Sequence, residues 1–186
     1  ESGQFGILAA EDGLLLLRRG LDGARALPET FYSFCRADGS EIAHPLRARF
    51  GERIELLGYD YTRYNAVHAR QLPATVTTYW RALQPLQNDL GLVLFFSRPD
   101  GAIVYHYAEL EPIALWYPPS RWPEGAVIRV ETPALAVGRL ESALVAVVPN
   151  GGDAWSPSAR LKLSRTAEQP LETYDQDTLL KLFDLR

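Results

Sequence analysis

The chain has 186 residues, of which 47% are hydrophobic, 11% aromatic and 23% charged. A chain of this length can fold as one domain that buries about 70% of its unfolded surface, and the composition excludes collagen-like, coiled-coil and disordered classes. The net charge is −4, from 19 basic and 23 acidic residues without a basic cluster. Nucleic-acid binding needs clustered cations, so we expect no nucleic-acid partner.

The longest uninterrupted leucine run, Leu14 to Leu17, is far shorter than the roughly 20 apolar residues of a membrane span. The N-terminus lacks the pattern of a signal peptide. Residue 1 is Glu and the chain contains no methionine, so we expect a processed product or a fragment of a longer protein. Cys35 is the single cysteine, which excludes an internal disulfide.

The N-terminal third predicts a β-hairpin. Phe5 to Ala10 and Leu14 to Arg19 flank Glu11-Asp12-Gly13, and an Asp-Gly pair between apolar runs is a strong hairpin signal. A connection rich in glycine follows. Thr30 to Arg36 then predicts a short aromatic strand, which stops at the turn signature Ala37-Asp38-Gly39.

The middle of the chain predicts four strands, with a bulge or close approach at Gly58 in the first and an Arg-Pro-Asp-Gly turn between the last two. These strands are Arg53 to Arg63, Thr75 to Ala82, Leu90 to Ser97 and Ala102 to Tyr107.

An irregular stretch follows from Glu109 to Gly125, which contains four prolines and two tryptophans. Ala126 to Thr132 and Leu140 to Val148 predict two more strands, and Ala159 to Ser164 a last strand of the sheet. Thr178 to Arg186 permits a short helix or an edge strand, and we favour the strand.

Eight to ten short strands at a spacing of about ten residues are typical of an all-β fold, an antiparallel β-sandwich of the immunoglobulin-like or jelly-roll-like kind. We expect residues 1–47 to form an N-terminal β-hairpin appendage with its linker and residues 48–186 to form the sandwich. The predicted core consists of Val76, Tyr79 or Trp80, Leu92, Leu94, Phe96, Val104, Ile128, Val130, Leu144 and Val147.

The sequence contains no nucleophile elbow, phosphate loop, dinucleotide fingerprint or zinc-binding helix motif. His44, His68 and His106 lie 24 and 38 residues apart, too far for a local metal site. A lone cysteine such as Cys35 is far more often a small core residue than a nucleophile. We therefore expect no catalytic residue, no metal and no cofactor, with a cryptic hydrolase assembled from distant residues as the enzyme alternative.

Two loops are candidate binding sites. Asn150-Gly151-Gly152-Asp153 offers two oxygen ligands, and a plain turn is favoured there over a calcium site. Trp116, Tyr117 and Trp122 lie within seven residues with Arg121 between them, and exposed rings of this kind stack on sugars. The other interpretation has these rings closing one end of the core, with Arg121 over a ring. We expect Trp122 to be buried and Trp116 to be partly exposed.

Several segments, in this order, resemble a known family. Leu57-Gly58-Tyr59, Tyr79 to Leu86, Arg98 to Gly101 and Tyr117 to Gly125 are similar to the C-terminal β-sandwich domain of multi-spanning bacterial membrane proteins of the Chloroflexus type. Those proteins resemble dolichyl-phosphate-mannose and other lipid-linked-sugar glycosyltransferases. Residues 1–20 are similar to the last extracytoplasmic hairpin of a related family of unknown function.

The resemblance covers residues 1–20 and 50–150, and Gly138-Arg139-Leu140 departs from the family's usual Pro-Gly-x-Tyr type entry to a strand. It implies a non-catalytic accessory domain with a structural or interaction role, tethered outside the cytoplasm to the membrane-embedded remainder of its parent. A carbohydrate-binding module that uses Trp116, Tyr117, Arg121 and Trp122 is the alternative. The family's catalytic carboxylates lie in the membrane part, and none matches a position here.

Overall fold

The computed structural model describes residues 5–21, 27–64, 73–114, 116–137, 140–164 and 170–185. Its contacts divide the chain into two compact units, Glu1–Arg36 and Ala37–Arg186. The predicted boundary between residues 47 and 48 lies inside a strand, His44–Phe50, that the sequence did not reveal. Pro45, Arg47 and Arg49 interrupt the apolar pattern of that strand, which explains why it was missed.

The first unit contains the predicted hairpin. Strands β1 (Phe5–Glu11) and β2 (Leu14–Arg19) pair antiparallel. Asp12 and Gly13 both have positive φ, 47° and 75°, as a two-residue hairpin turn of type I′ requires. The turn is held by backbone N–H groups of Asp12 and Gly13, which donate to the carbonyls of Thr30 and Phe31 at 3.1 and 2.8 Å.

The predicted aromatic strand at Thr30 to Arg36 is wrong, because Glu29–Cys35 forms a 3-10 helix. Its first turn closes when the N–H of Phe31 donates to the carbonyl of Pro28, and the period of three brings the rings of Phe31 and Phe34 into contact. Cys35 is buried, and its thiol donates to the carbonyl of Tyr32 at 3.1 Å. Its burial agrees with the expectation of a small core residue.

The described residues after this helix contain twelve further strands and two single-turn 3-10 helices, Pro119–Arg121 and Pro157–Ala159. In chain order they are β3 (Arg36–Ala37), β4 (His44–Phe50), β5 (Ile54–Arg63), β6 (Pro73–Ala82), β7 (Leu90–Ser97), β8 (Ile103–Tyr107), β9 (Val127–Glu131), β10 (Leu135–Ala136), β11 (Ser142–Pro149), β12 (Leu163–Ser164), β13 (Thr173–Tyr174) and β14 (Leu179–Asp184). None of the described helices has the length and apolar character that a membrane crossing requires.

These strands form two antiparallel sheets. The seven-stranded sheet has the order β12-β4-β5-β6-β9-β3, with β10 also paired to β6, and the five-stranded sheet has the order β13-β14-β11-β7-β8. Together with the N-terminal hairpin they give the all-β, sandwich-like architecture that the strand spacing predicted. The strand favoured for Thr178 to Arg186 is also confirmed, as β14.

The predicted core is buried with one exception. Tyr79 and Trp80, between which the alternation left a choice, are both buried because β6 is covered on both faces. Val104 is 41% exposed, so its assignment to the core was wrong. The pairing of β7 with β8 passes from Tyr105 to Ile103 and skips Val104, which therefore bulges from an edge strand.

The close approach predicted at Gly58 is confirmed. The register of β5 against β6 shifts between Leu56 and Gly58, whose φ is 155°. A Cβ at Gly58 would lie 2.5 Å from the carbonyl oxygen of His44 and would also overlap the side chain of Ile42. The predicted strand at Ala159 to Ser164 is reduced to β12, since Ala159 belongs to the 3-10 helix Pro157–Ala159 and residues 160–162 are not in a strand.

Candidate functional site

The aromatic loop between β8 and β9 does not present its three rings together. Tyr117 is fully buried and Trp122 is 3% exposed, whereas Trp116 is 36% exposed. The indole N–H of Trp122 donates to the carbonyl of Tyr117 at 2.8 Å. The expected burial of Trp122 and partial exposure of Trp116 are therefore confirmed.

Arg121 stabilises this loop through contacts with other residues of the loop. Its guanidinium carbon lies 5.9 Å from the centre of the Tyr117 ring, and Nη1 donates to the carbonyl of Trp116 at 3.2 Å. The backbone N–H groups of Arg121 and Trp122 close the 3-10 turn on Pro118 and Pro119. The structure therefore brings together the four residues of the predicted site, Trp116, Tyr117, Arg121 and Trp122. Of the three aromatic rings among them, that of Trp116 has substantial exposed area.

A groove beside the loop has Asp89 on its wall, together with Ile113, Ala114, Pro118 and Pro119. The carboxylate of Asp89 accepts the N–H of Ser120 at 3.2 Å, and its carbonyl accepts the N–H of Asn150 at 2.9 Å. Asp89 thus joins the loop to the turn after β11.

The candidate nucleophile Cys35 and the two described histidines, His44 and His106, belong to three different elements. Cys35 belongs to the first unit, while His44 is on β4 and His106 on β8, in different sheets of the second unit. His44 stacks on Tyr59 at 4.9 Å, and Tyr59 stacks in turn on Phe183 at 4.9 Å. The rings of His44, Tyr59 and Phe183 therefore form a stack in which the ring faces cover one another. His68 lies outside the described residues.

A second aromatic cluster, formed by Phe95, His106, Trp155 and Arg160, was not foreseen. The ring of His106 lies 5.7 Å from Phe95 and 5.0 Å from Trp155, which is 46% exposed. The buried guanidinium of Arg160 lies 4.8 Å from the centre of Phe95. No sequence motif connects these residues, which come from two strands and a turn.

Arg160 has a protein partner for each nitrogen of its guanidinium. Nε donates to the carbonyl of Ala154 at 2.7 Å, Nη1 to Asp175 at 2.7 Å and Nη2 to the carbonyl of Trp155 at 3.3 Å. A buried arginine satisfied in this way holds the turn at residues 153–160 against the sheet. This role is structural.

Glu55 is a buried carboxylate on β5, with 2% of its side chain exposed. It forms ion pairs with Arg81 on β6 and with Arg49 on β4, the latter at 3.2 Å. Burial alone would raise the pKa of Glu55, but the hydrogen bonds and charges of Arg81 and Arg49 outweigh it and hold the pKa below its usual value. The group is thereby kept ionised as a link across three strands.

Asp60 makes a similar link on β5. Its carboxylate accepts the hydroxyl of Tyr79 at 2.6 Å and the backbone N–H of Ala43 at 2.8 Å. Burial, and then the bond to Asp60, raise the pKa of Tyr79 far above its ordinary value. The phenol therefore stays protonated and donates to Asp60.

Most of the large apolar side chains that are exposed among the described residues lie on the N-terminal hairpin. Six large apolar side chains are exposed on its two strands, and Leu14 reaches 77% exposure. They are Phe5, Leu8, Leu14, Leu15, Leu16 and Leu17. Part of this surface forms a groove lined by Ala9, Leu14 and Leu16. Large exposed apolar surfaces mark interaction sites in soluble proteins.

The sequence did not predict this exposure, because a leucine run fits a buried strand equally well. Four consecutive leucines on one strand place apolar side chains on both faces of a hairpin, whereas a half-buried strand alternates. The prediction treated the hairpin only as an appendage.

The fold thus defines an antiparallel β-sandwich protein that carries an apolar hairpin. Among the described residues, no group of three or more His, Cys, Asp or Glu side chains is placed to hold a metal ion. Comparison of the chain with protein-family models, with curated proteins and with solved structures finds no match in any of the three.

Proposed function

We propose that this chain is a non-catalytic β-sandwich module with an interaction role, and that its N-terminal hairpin is the surface it offers to a protein partner. The observation that carries the proposal is the exposure of six large apolar side chains on two paired strands. Leaving this much apolar surface in water is unfavourable by roughly 25 cal/mol per Å², so a partner that covers it gains binding energy.

The buried polar side chains of the sandwich support the proposal that the module is non-catalytic. Glu55, Asp60 and Arg160 are buried or half-buried, and each is held by partners within the fold. General acid–base catalysis needs a group within hydrogen-bond reach of a substrate. These three groups instead connect strands and turns.

We further propose that the module belongs to a membrane protein and lies on its extracytoplasmic face, with the membrane-embedded remainder of the parent as a partner. This placement rests on the family resemblance. The sequence of the complete gene tests it, because apolar segments of about 20 residues are expected outside the present chain. A complete gene without such segments would contradict the placement.

The carbohydrate-binding alternative is supported by Trp116, the exposed ring of the aromatic loop. Glycan recognition usually combines a ring face with several polar groups that orient the ligand. Here Arg121 already donates to the carbonyl of Trp116, and Tyr117 and Trp122 are buried. The geometry therefore favours the interaction role over glycan binding.

Site-specific photo-crosslinking tests the interaction role. A photoreactive amino acid replaces Leu14 in the full-length protein expressed in its own cells, and a matched variant carries it at Val104, an exposed apolar position on β8. We expect a covalent protein adduct from position 14 and none from position 104. Equal yields at the two positions, or no adduct from either, would contradict the proposal.

A further inference from the structure

One face of the hairpin carries apolar side chains in its middle and a charged side chain at each end. Residues directly opposite each other on paired strands share a face, as do alternate residues along one strand. The register pairs Glu11 with Leu14, Ala9 with Leu16 and Gly6 with Arg18. The leucine face therefore consists of Gly6, Ala9, Glu11, Leu14, Leu16 and Arg18, all of which are exposed except Gly6.

The charges of the leucine face lie at its two ends. Glu11 adjoins the turn, and Arg18 lies two rows of the ladder away, about 13 Å along β2 at the usual rise of a strand. Within the described part of the chain neither residue takes part in an ion pair. Ala9 and Leu16 form the row between them. The face is thus acidic at one end, apolar in the middle and basic at the other end.

A surface with this arrangement is complementary to itself when one copy is reversed. A two-fold axis along the row of Ala9 and Leu16 places the row of Glu11 and Leu14 in each copy against the row of Gly6 and Arg18 in the other. Each acidic end then lies beside a basic end, and the Leu16 side chains of the two copies pack against each other at the axis. We propose that the leucine face docks against the leucine face of a second copy of this chain. This inference rests on the proposed interaction role and names the partner.

A lipid surface fits the hairpin less well. The backbone groups at the outer edges of two strands need hydrogen-bond partners, which the hydrocarbon region does not supply. Glu11 and Asp12 also place two carboxylates at the turn, where insertion would begin. A second copy supplies apolar cover for the leucines and a basic partner for Glu11.

The area of the leucine face limits the affinity that we expect for the dimer. Two strands of this length cover about 20 Å by 10 Å, which is well below the roughly 800 Å² that each partner buries in a stable complex. Docking of the leucine faces alone is therefore a weak association. Sedimentation velocity from micromolar to near-millimolar concentrations covers the relevant range.

A charge exchange between two variants of the full chain tests the inference. Glu11→Arg makes both ends of the face basic, and Arg18→Glu makes both ends acidic, so each variant opposes like charges in its own homodimer. We expect each variant alone to raise the dissociation constant of the dimer about tenfold or more. An equimolar mixture is expected to recover the association of the wild type, since both end contacts are then complementary.

Glu124→Arg is the matched control, because it makes the same change of charge at an exposed position of the second unit. It is expected to leave the association unchanged, and circular dichroism of all variants establishes that they are folded. A wild type that stays monomeric at near-millimolar concentration would overturn the inference, as would a mixture that fails to recover association. Cosedimentation of a monomeric wild type with anionic vesicles would instead assign the face to lipid.

The crosslinking experiment separates the two proposals. An adduct from position 14 to a different protein, with a monomeric wild type, would overturn the second copy as partner and leave the interaction role in place. No adduct from position 14 together with no self-association would overturn both.

Discussion

The indole of Trp122 and the backbone of Tyr117 are joined by a hydrogen bond of 2.8 Å inside the aromatic loop. The bond satisfies the one polar atom of a large buried side chain, which can then contribute its full apolar area to the core. The ring of Tyr117, over which Arg121 lies, is buried as well. The loop is therefore part of the core, with Trp116 at its margin.

The two tryptophans of this loop should differ in their contribution to stability. Trp122→Ala removes a buried ring and its hydrogen bond, and we expect it to lower the free energy of unfolding by roughly 3–5 kcal/mol. Trp116→Ala, the matched control in the same loop, should cost less than about 1 kcal/mol. Urea unfolding followed by circular dichroism measures both. Equal losses for the two variants would contradict this account.

Gly58 should not tolerate any side chain. Gly58→Ala would place a methyl group 2.5 Å from the carbonyl oxygen of His44 at a φ of 155°, and we expect a loss of at least about 3 kcal/mol, because backbone must move. Gly101→Ala is the control, since Gly101 also has a positive φ, 81°, but has no atom within 4 Å of the added position. It should cost about 1 kcal/mol. Thermal melts of the two variants that coincide would argue against the close approach.

Local signals were sufficient to predict some of the strands. Apolar alternation and turn residues placed β7, β8 and the first hairpin to within one residue, because each depends on neighbours in sequence. The 3-10 helix at Glu29–Cys35 was missed because aromatic residues are typical of strands and the i to i+3 contacts that form it have no strong sequence signature.

The long-range polar contacts could not be predicted from the sequence. Arg160 is 65 residues from Phe95 and 15 from Asp175, and only the packing of the strands brings the three together. Glu55 presents the same problem, since a single glutamate in an apolar strand gives no indication of the strands that supply its arginines. The exposure of Leu14 was likewise undetermined, because a leucine run fits a buried strand equally well.

Arg160 should be difficult to replace even by another cation. Arg160→Lys keeps the charge but loses the planar group that reaches Ala154, Asp175 and Trp155 at once, and we expect it to cost about 2 kcal/mol. Arg98→Lys, at an exposed ion pair with Asp100, is the control and should cost less than about 0.5 kcal/mol. Chemical unfolding measures the difference, and equal stabilities of the two variants would contradict the structural role of Arg160.

Glu55 should make stability depend on pH in a defined direction. Its pKa in the folded chain lies below the ordinary value of 4.5, so the folded state favours the ionised form. The stabilisation is therefore fully present above pH 4.5 and is lost as the pH falls through the lowered pKa. Glu55→Gln should reduce the free energy of unfolding at neutral pH by about 1–3 kcal/mol, because Arg49 and Arg81, both partly exposed, lose their common partner.

The difference between wild type and Glu55→Gln should shrink as the pH is lowered toward the point where the folded carboxyl becomes protonated. Glu52→Gln is the matched control on the same arginine, since Glu52 is exposed and lies 3.9 Å from Arg49. Its effect should stay below about 0.5 kcal/mol at every pH. Urea titrations of the three proteins at a series of pH values measure these differences. A difference for Glu55→Gln that stays constant with pH would show that the carboxylate charge does not stabilise the sheet.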